Sequence, residues 1–98
     1  MIIFDTEALD DLDRIFEFLA EHDPEAAVDH IEKLHNAITV LDQHPMIGRT
    51  IGSASTLREL VISQGRSGYV ALYEYSAIDR MIRIVAIRHQ REAGYRGT

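Results

Sequence analysis

The sequence predicts an α+β fold in which an antiparallel helical hairpin covers one face of an antiparallel sheet ending in a three-strand meander. Apolar residues recur at helical spacing over two stretches in the first half and form three β-rich runs in the second. The breaks between these stretches are only a few residues long. Helices followed by strands, with short connections, is the pattern of helices gathered on one side of a sheet.

Taken in order, "MIIF" at residues 1–4 has strand composition and is expected to pair at one side of the meander. Asp5 or Thr6 can cap a first helix, in which Leu9, Leu12, Phe16 and Leu19, with Ala8 and Ile15 alongside, follow the three-then-four spacing of a buried face. Asp23 as N-cap, Pro24 at the first helical position and Glu25 in the first turn open a second helix, whose stripe is Ala27, Ile31, Leu34, Ile38 and Leu41. Only Glu21, His22 and Asp23 lie between the stripes, so the helices are expected to fold back on each other. Pro45 and Gly48 break the helical pattern. Strands are then predicted at "LRELVIS" (57–63), "YVALYEYS" (69–76) and "MIRIVAIRH" (81–89), joined by "QGRSG" and "AIDR", both short enough for hairpins. Leu12, Phe16, Ile31, Leu34, Ile38, Ile84 and Ala86 are the predicted core.

With 98 residues and no internal repeat or linker, residues 1–98 are expected to form one domain. Such a chain buries roughly 60 to 70% of its unfolded surface. There is no cysteine, hence no disulfide and no thiolate ligand, which fits a reducing cytoplasm. The N-terminus lacks the basic start and long apolar segment of an export signal, and no apolar run approaches the roughly 18 residues of a membrane span. A net charge of −6 opposes general nucleic-acid binding, so no direct DNA contact is expected. The charge is unevenly spread: residues 1–42 carry −10 and residues 43–98 carry +4. Nine of the ten basic residues are Arg, which suits planar, bidentate contacts more than diffuse attraction to phosphate. Either the C-terminal half is a recognition surface, or an acidic helical layer pairs with a basic sheet.

No cofactor or metal is expected. His30 and His35 are five residues apart and point to different sides of their helix, and no H-E-x-x-H motif is present. "DDLDR" (10–14) lacks the glycine and closing glutamate of a calcium loop and reads as a solvated helix face. "GRTIG" and "GRSG" read as turns, without the spacing that cradles phosphate. Tyr69, Tyr73 and Tyr75 share one strand face, as base-stacking platforms, core residues or a protein contact. The closing "IRHQREAGYRGT" (87–98) places Arg88, His89, Arg91 and Tyr95 close together in sequence. They could clamp a phosphate, move a proton and stack a ring, as cleavage of RNA at a 2′-hydroxyl requires, or they could dock a partner. Arg58 and Arg66 join these four in the predicted docking patch.

"P-x-x-G-R" at 45–49, "LREL", "GYVALYEY" and "IRHQREAGY", in that order behind two amphipathic helices, resemble the RelE/ParE superfamily of toxins from type II toxin–antitoxin pairs. The resemblance implies helices packed on an antiparallel sheet and a cognate antitoxin with an acidic, partly disordered segment that wraps the toxin. Nucleases of the RelE branch carry lysines on the first meander strand and an Arg directly after the Tyr of the second. Here those positions read Leu60, Val61, Ile62 and Val70. Without that basic strand, a pentavalent phosphate loses its main electrostatic support. The resemblance is therefore closer to the ParE branch, whose members inhibit DNA gyrase through protein contacts. The alternatives it leaves are a ribosome-dependent mRNA endoribonuclease using Arg88, His89, Arg91 and Tyr95, and an attenuated toxin that only binds its antitoxin.

Overall fold

Asp23 accepts a hydrogen bond from the backbone N–H of Ala26 (3.2 Å) and is followed by Pro24, so the second helix starts where its cap and its proline place it. The computed structural model describes residues 1–53, 56–64 and 67–89. Its elements are β1 (Ile2–Phe4), α1 (Thr6–Ala20), α2 (Pro24–Thr39), a single 3₁₀ turn (Val40–Asp42), β2 (Arg49–Thr50), β3 (Leu57–Gln64), β4 (Ser67–Ser76) and β5 (Met81–His89). Asp5 takes the N-cap position of α1 without a side-chain cap. Its carboxylate instead accepts from Arg83 on β5 at 2.6 Å.

The sheet order is β1-β5-β4-β3-β2. β3, β4 and β5 form the expected meander, with Val61 opposite Val70 and Val70 opposite Arg88. β1 lies parallel to β5, Ile2 beside Ile82 and Phe4 beside Ile84, so the sheet is mixed. A three-residue strand carries no side-chain pattern that fixes its direction. The crossover through the whole helical hairpin and meander supplies the long connection that a parallel pair needs. The two-residue β2, too short to show periodicity, was not foreseen and pairs only with Arg58 and Glu59.

One face of the sheet is packed against the helices. Tyr69, Ala71 and Tyr73 of β4, Ile62 of β3 and Ile82, Ile84 and Ile87 of β5 meet Ala8, Ile15, Leu34, Ile38 and Leu41. Three of the predicted core residues, Leu34, Ile38 and Ile84, are fully buried there, while Leu12 and Ile31 pack at its margin. Phe16 is exposed, as is Leu9. The buried positions of α1 are Ala8, Asp11 and Ile15, so its inward face is rotated from the predicted stripe toward a carboxylate.

Ala86 is buried but lies outside the helix-facing core, because of an irregularity in β5. The register passes from Leu72 opposite Ala86 to Tyr73 opposite Ile84, leaving Val85 as one extra residue. The bulge resets the alternation. Ile87 and His89 therefore share the helix-facing side with Ile84, and Ala86 and Arg88 turn to the other. Next to the bulge, β1 has ended, and the side chain of Asp11 replaces it: the Ile87 N–H donates to Asp11 Oδ2 at 2.8 Å. The "DDLDR" segment thus contains a buried structural acceptor, which a solvated reading of that face overlooked.

Candidate functional site

The C-terminal end of β5 carries Arg88 and His89, two of the six residues of the predicted patch. Strand alternation sends them to opposite faces of the sheet. His89 sits in a cross-strand row with Tyr69 and Ile62, and Arg88 in a row with Val70 and Val61. The His89 ring meets the edge of Tyr69 at 5.4 Å and 83°, and His30 of α2 meets the same tyrosine at 5.2 Å and 79°. The result is a histidine–tyrosine–histidine stack joining α2 to the end of the sheet. The imidazole of His30 is held below its ordinary pKa, first by burial and then by Lys33; Asp29 opposes the shift, and His89 adds to it. Its Nε2 is enclosed with no hydrogen-bond partner among the described residues.

Arg58 lies elsewhere. It is opposite Tyr73, four residues along β4 from Tyr69, or roughly 13 Å at strand rise. Its Nη1 donates to the carbonyls of Met46 (3.1 Å) and Gly48 (2.7 Å). Arg58 thus holds a turn, and the structure does not bring it together with Arg88 and His89. Arg66, Arg91 and Tyr95 lie outside the described residues. Tyr73 and Tyr69 are buried and Tyr75 is half-buried at the core margin, so the tyrosine face belongs to the sheet core.

The turn that Arg58 holds was missed as a site. The Tyr73 hydroxyl donates to the Pro45 carbonyl and accepts from the Gly48 N–H, both at 2.8 Å. A Cβ on Gly48 would lie 2.6 Å from the Tyr73 ring, so the close approach requires glycine. Around this clamp, Met46 and Ile47 stand exposed, with Val40 nearby on the preceding turn. Two apolar residues inside a P-x-x-G turn, where polar ones are usual, were the available signal.

The predicted pairing of an acidic helical layer with a basic sheet is not what forms. Arg49 pairs with Glu59 (3.0 Å), and Arg83 bridges Glu74 (3.1 Å) and Asp5. Thr56 and Arg83 hold the Glu74 carboxyl below its ordinary pKa, the threonine hydroxyl contributing most. These arginines are satisfied mainly by acids of the sheet. No three His, Asp or Glu side chains converge as a metal site among the described residues, and no described helix is long and apolar enough to cross a membrane.

Two helices on one face of a five-stranded mixed sheet define a small α+β domain. A solved chain from the chromosomal ParDE TA system of P. aeruginosa has this fold, with a TM-score of 0.71 at 21% identity, over 90% of this chain and 92% of that one. The family model for the ParE toxin of the type II toxin–antitoxin system, parDE, matches residues 2–94, and the chain belongs to that family. No curated protein matches it. Membership implies an antitoxin partner.

Proposed function

We propose that this chain is a ParE-type toxin that arrests growth by docking on DNA gyrase in the cytoplasm and is neutralised by a cognate antitoxin. The observation that carries this reading is the division of Arg88 and His89 between the two sheet faces, each in a row of apolar and aromatic neighbours. Cleavage of RNA needs cations converging on one phosphate. Among the described residues, these two rows offer one arginine. A docking surface needs no such convergence: an arginine among apolar neighbours on a rigid sheet end suits a protein contact. Arg91 and Tyr95 follow Arg88 and His89 in sequence, whereas Arg58 holds the Pro45–Gly48 turn apart from them. The antitoxin contributes an acidic segment, disordered when free, that orders along the arginine-rich sheet half.

The test separates docking from cleavage. His89→Gln keeps size and hydrogen bonding but removes imidazole proton transfer. Docking predicts that His89→Gln remains toxic, that Arg91→Ala and Tyr95→Ala lose toxicity with antitoxin affinity nearly intact, and that purified gyrase loses supercoiling activity in the presence of the wild type. Cleavage of mRNA on purified ribosomes, falling by about two to four orders of magnitude in His89→Gln, would establish the ribonuclease alternative instead. Antitoxin binding without either effect would identify an attenuated toxin.

A further inference from the structure

One edge of the sheet is only partly closed. β3 runs from Leu57 to Gln64, but β2 pairs only with Arg58 and Glu59, and no described strand lies beside residues 60–64 on that side. The Ile51 N–H donates to the Leu57 carbonyl at 3.2 Å, so the odd-numbered residues of β3 turn their backbone groups toward β2. Alternation therefore points the N–H and C=O of Val61 and Ser63 out of the sheet, while Leu60 and Ile62 face Ala71 and Tyr69 of β4.

An open edge is ordinarily guarded by a charge, a proline or its own shortness. β1, at the opposite edge, has three residues. The open stretch of β3 reads Leu-Val-Ile-Ser-Gln, without charge, proline or glycine, and Val61 is 43% exposed. Such a stretch is a template for another strand. Its register favours its own copy. Antiparallel pairing about a two-fold axis at Ile62 sets Val61 opposite Ser63 of a second copy and Ser63 opposite Val61, and each pair exchanges both backbone hydrogen bonds. Centring on Val61 would instead set Ser63 against Glu59, whose edge β2 already occupies. The open length thus matches one self-pairing. No like charges meet along it, and the charges at its end are neutralised in place, Arg49 by Glu59. An acidic antitoxin segment gains nothing from this edge, because Arg58 Nη1 is held by the carbonyls of Met46 and Gly48. Nucleic acid finds no row of cations there.

We propose that the free edge of β3 pairs with the same edge of a second copy, joining two sheets into one about a two-fold axis at Ile62. Both helical layers then lie on one side of the joined sheet and both Arg88 side chains on the other, their Cα atoms roughly 25 Å apart. The contact is about 17 Å long, shorter than a standard interface requires, so the dimer is weak and concentration-dependent.

Sedimentation of the isolated full chain over a concentration series should show its mass rising from one copy toward two. Val61→Pro removes the outward N–H and leaves the bonds to β4 in place. It should keep the wild-type amide spectrum and stay monomeric throughout, whereas Val61→Ala, which retains the N–H, should dimerise within about threefold of the wild type. Amide exchange of the wild type needs no variant: Val61 and Ser63 should gain protection as concentration rises, while Leu60 and Ile62 are protected at every concentration. A single copy at all concentrations, a dimer that survives in a folded Val61→Pro, added protection lying elsewhere, or protection of Val61 and Ser63 that appears only with antitoxin would each overturn the proposal.

Discussion

Tyr73 illustrates how one side chain can fix both a core and a loop. Its ring is fully buried under the helices, and its hydroxyl occupies the Pro45–Gly48 turn, donating to one end and accepting from the other. Tyr73→Phe leaves the Gly48 N–H and Pro45 carbonyl without that partner and is expected to cost about 1 to 3 kcal/mol in denaturant melts, with the 45–48 amides losing exchange protection first. The periodicity of "YVALYEY" placed the tyrosines on one face, but it held no information about where the hydroxyl would reach. His30 gives the pH prediction. Its pKa is lower folded than unfolded, so between those two values the unfolded chain binds more protons. Stability is therefore lost as pH falls from above the ordinary value of about 6.5 toward the folded one. His30→Phe keeps the edge contact with Tyr69 and removes the titration, so its melting temperature should fall less than the wild type's between pH 7.5 and 5.5. An equal fall in both would assign the loss to other groups.

Among the elements, α1 is the least faithfully read from sequence and α2 the most. In α2 the cap, the proline and a stripe of Ala27, Leu34 and Ile38 agree, and all three are buried. In α1, Leu9 and Phe16 suggest one face, yet the bulge in β5 calls for a carboxylate at Asp11 and turns the helix to deliver it. Neither the bulge nor the end of β1 leaves a periodic signal in the sequence, so the need for an acceptor at Ile87 was invisible. The same bulge exchanged the faces of Arg88 and His89, which strand alternation keeps on opposite sides in either case. Asp11→Ala should cost about 1 to 3 kcal/mol through the orphaned Ile87 N–H, and Asp11→Asn, which keeps an acceptor, distinctly less. Leu34→Ala should cost about 2 to 5 kcal/mol as a cavity in the core. Phe16→Ala, on the uncovered face, should cost much less than Leu34→Ala in the same melts. Comparable losses at Leu34 and Phe16 would place both on one buried face, against the structure.

At the scale of the whole molecule, the layer order was legible because helical and strand periodicities occupy separate halves of the chain, and the direction of β1 was not, because three residues carry too little pattern. The charge division was legible too, although its outcome was not: the sheet arginines find acids in their own layer and leave the outer helices negative. That parallel first strand has a further consequence, for how the protein comes into being during synthesis. Ile2 must find Ile82, and the loop closed between them carries an entropic cost of roughly 4 kcal/mol from its length alone. The hairpins β3–β4 and β4–β5 close over far shorter spans and are expected to form first. A nascent chain therefore holds β1 and the helical hairpin without their sheet until β5 has been made, so the toxin's structure is completed late. Stopped-flow kinetics can show the order: Phe4→Ala should speed unfolding while leaving the folding rate nearly unchanged, as for a contact absent from the transition state. During translation, that delay gives an antitoxin already present in the cell time to meet the toxin before its sheet is closed.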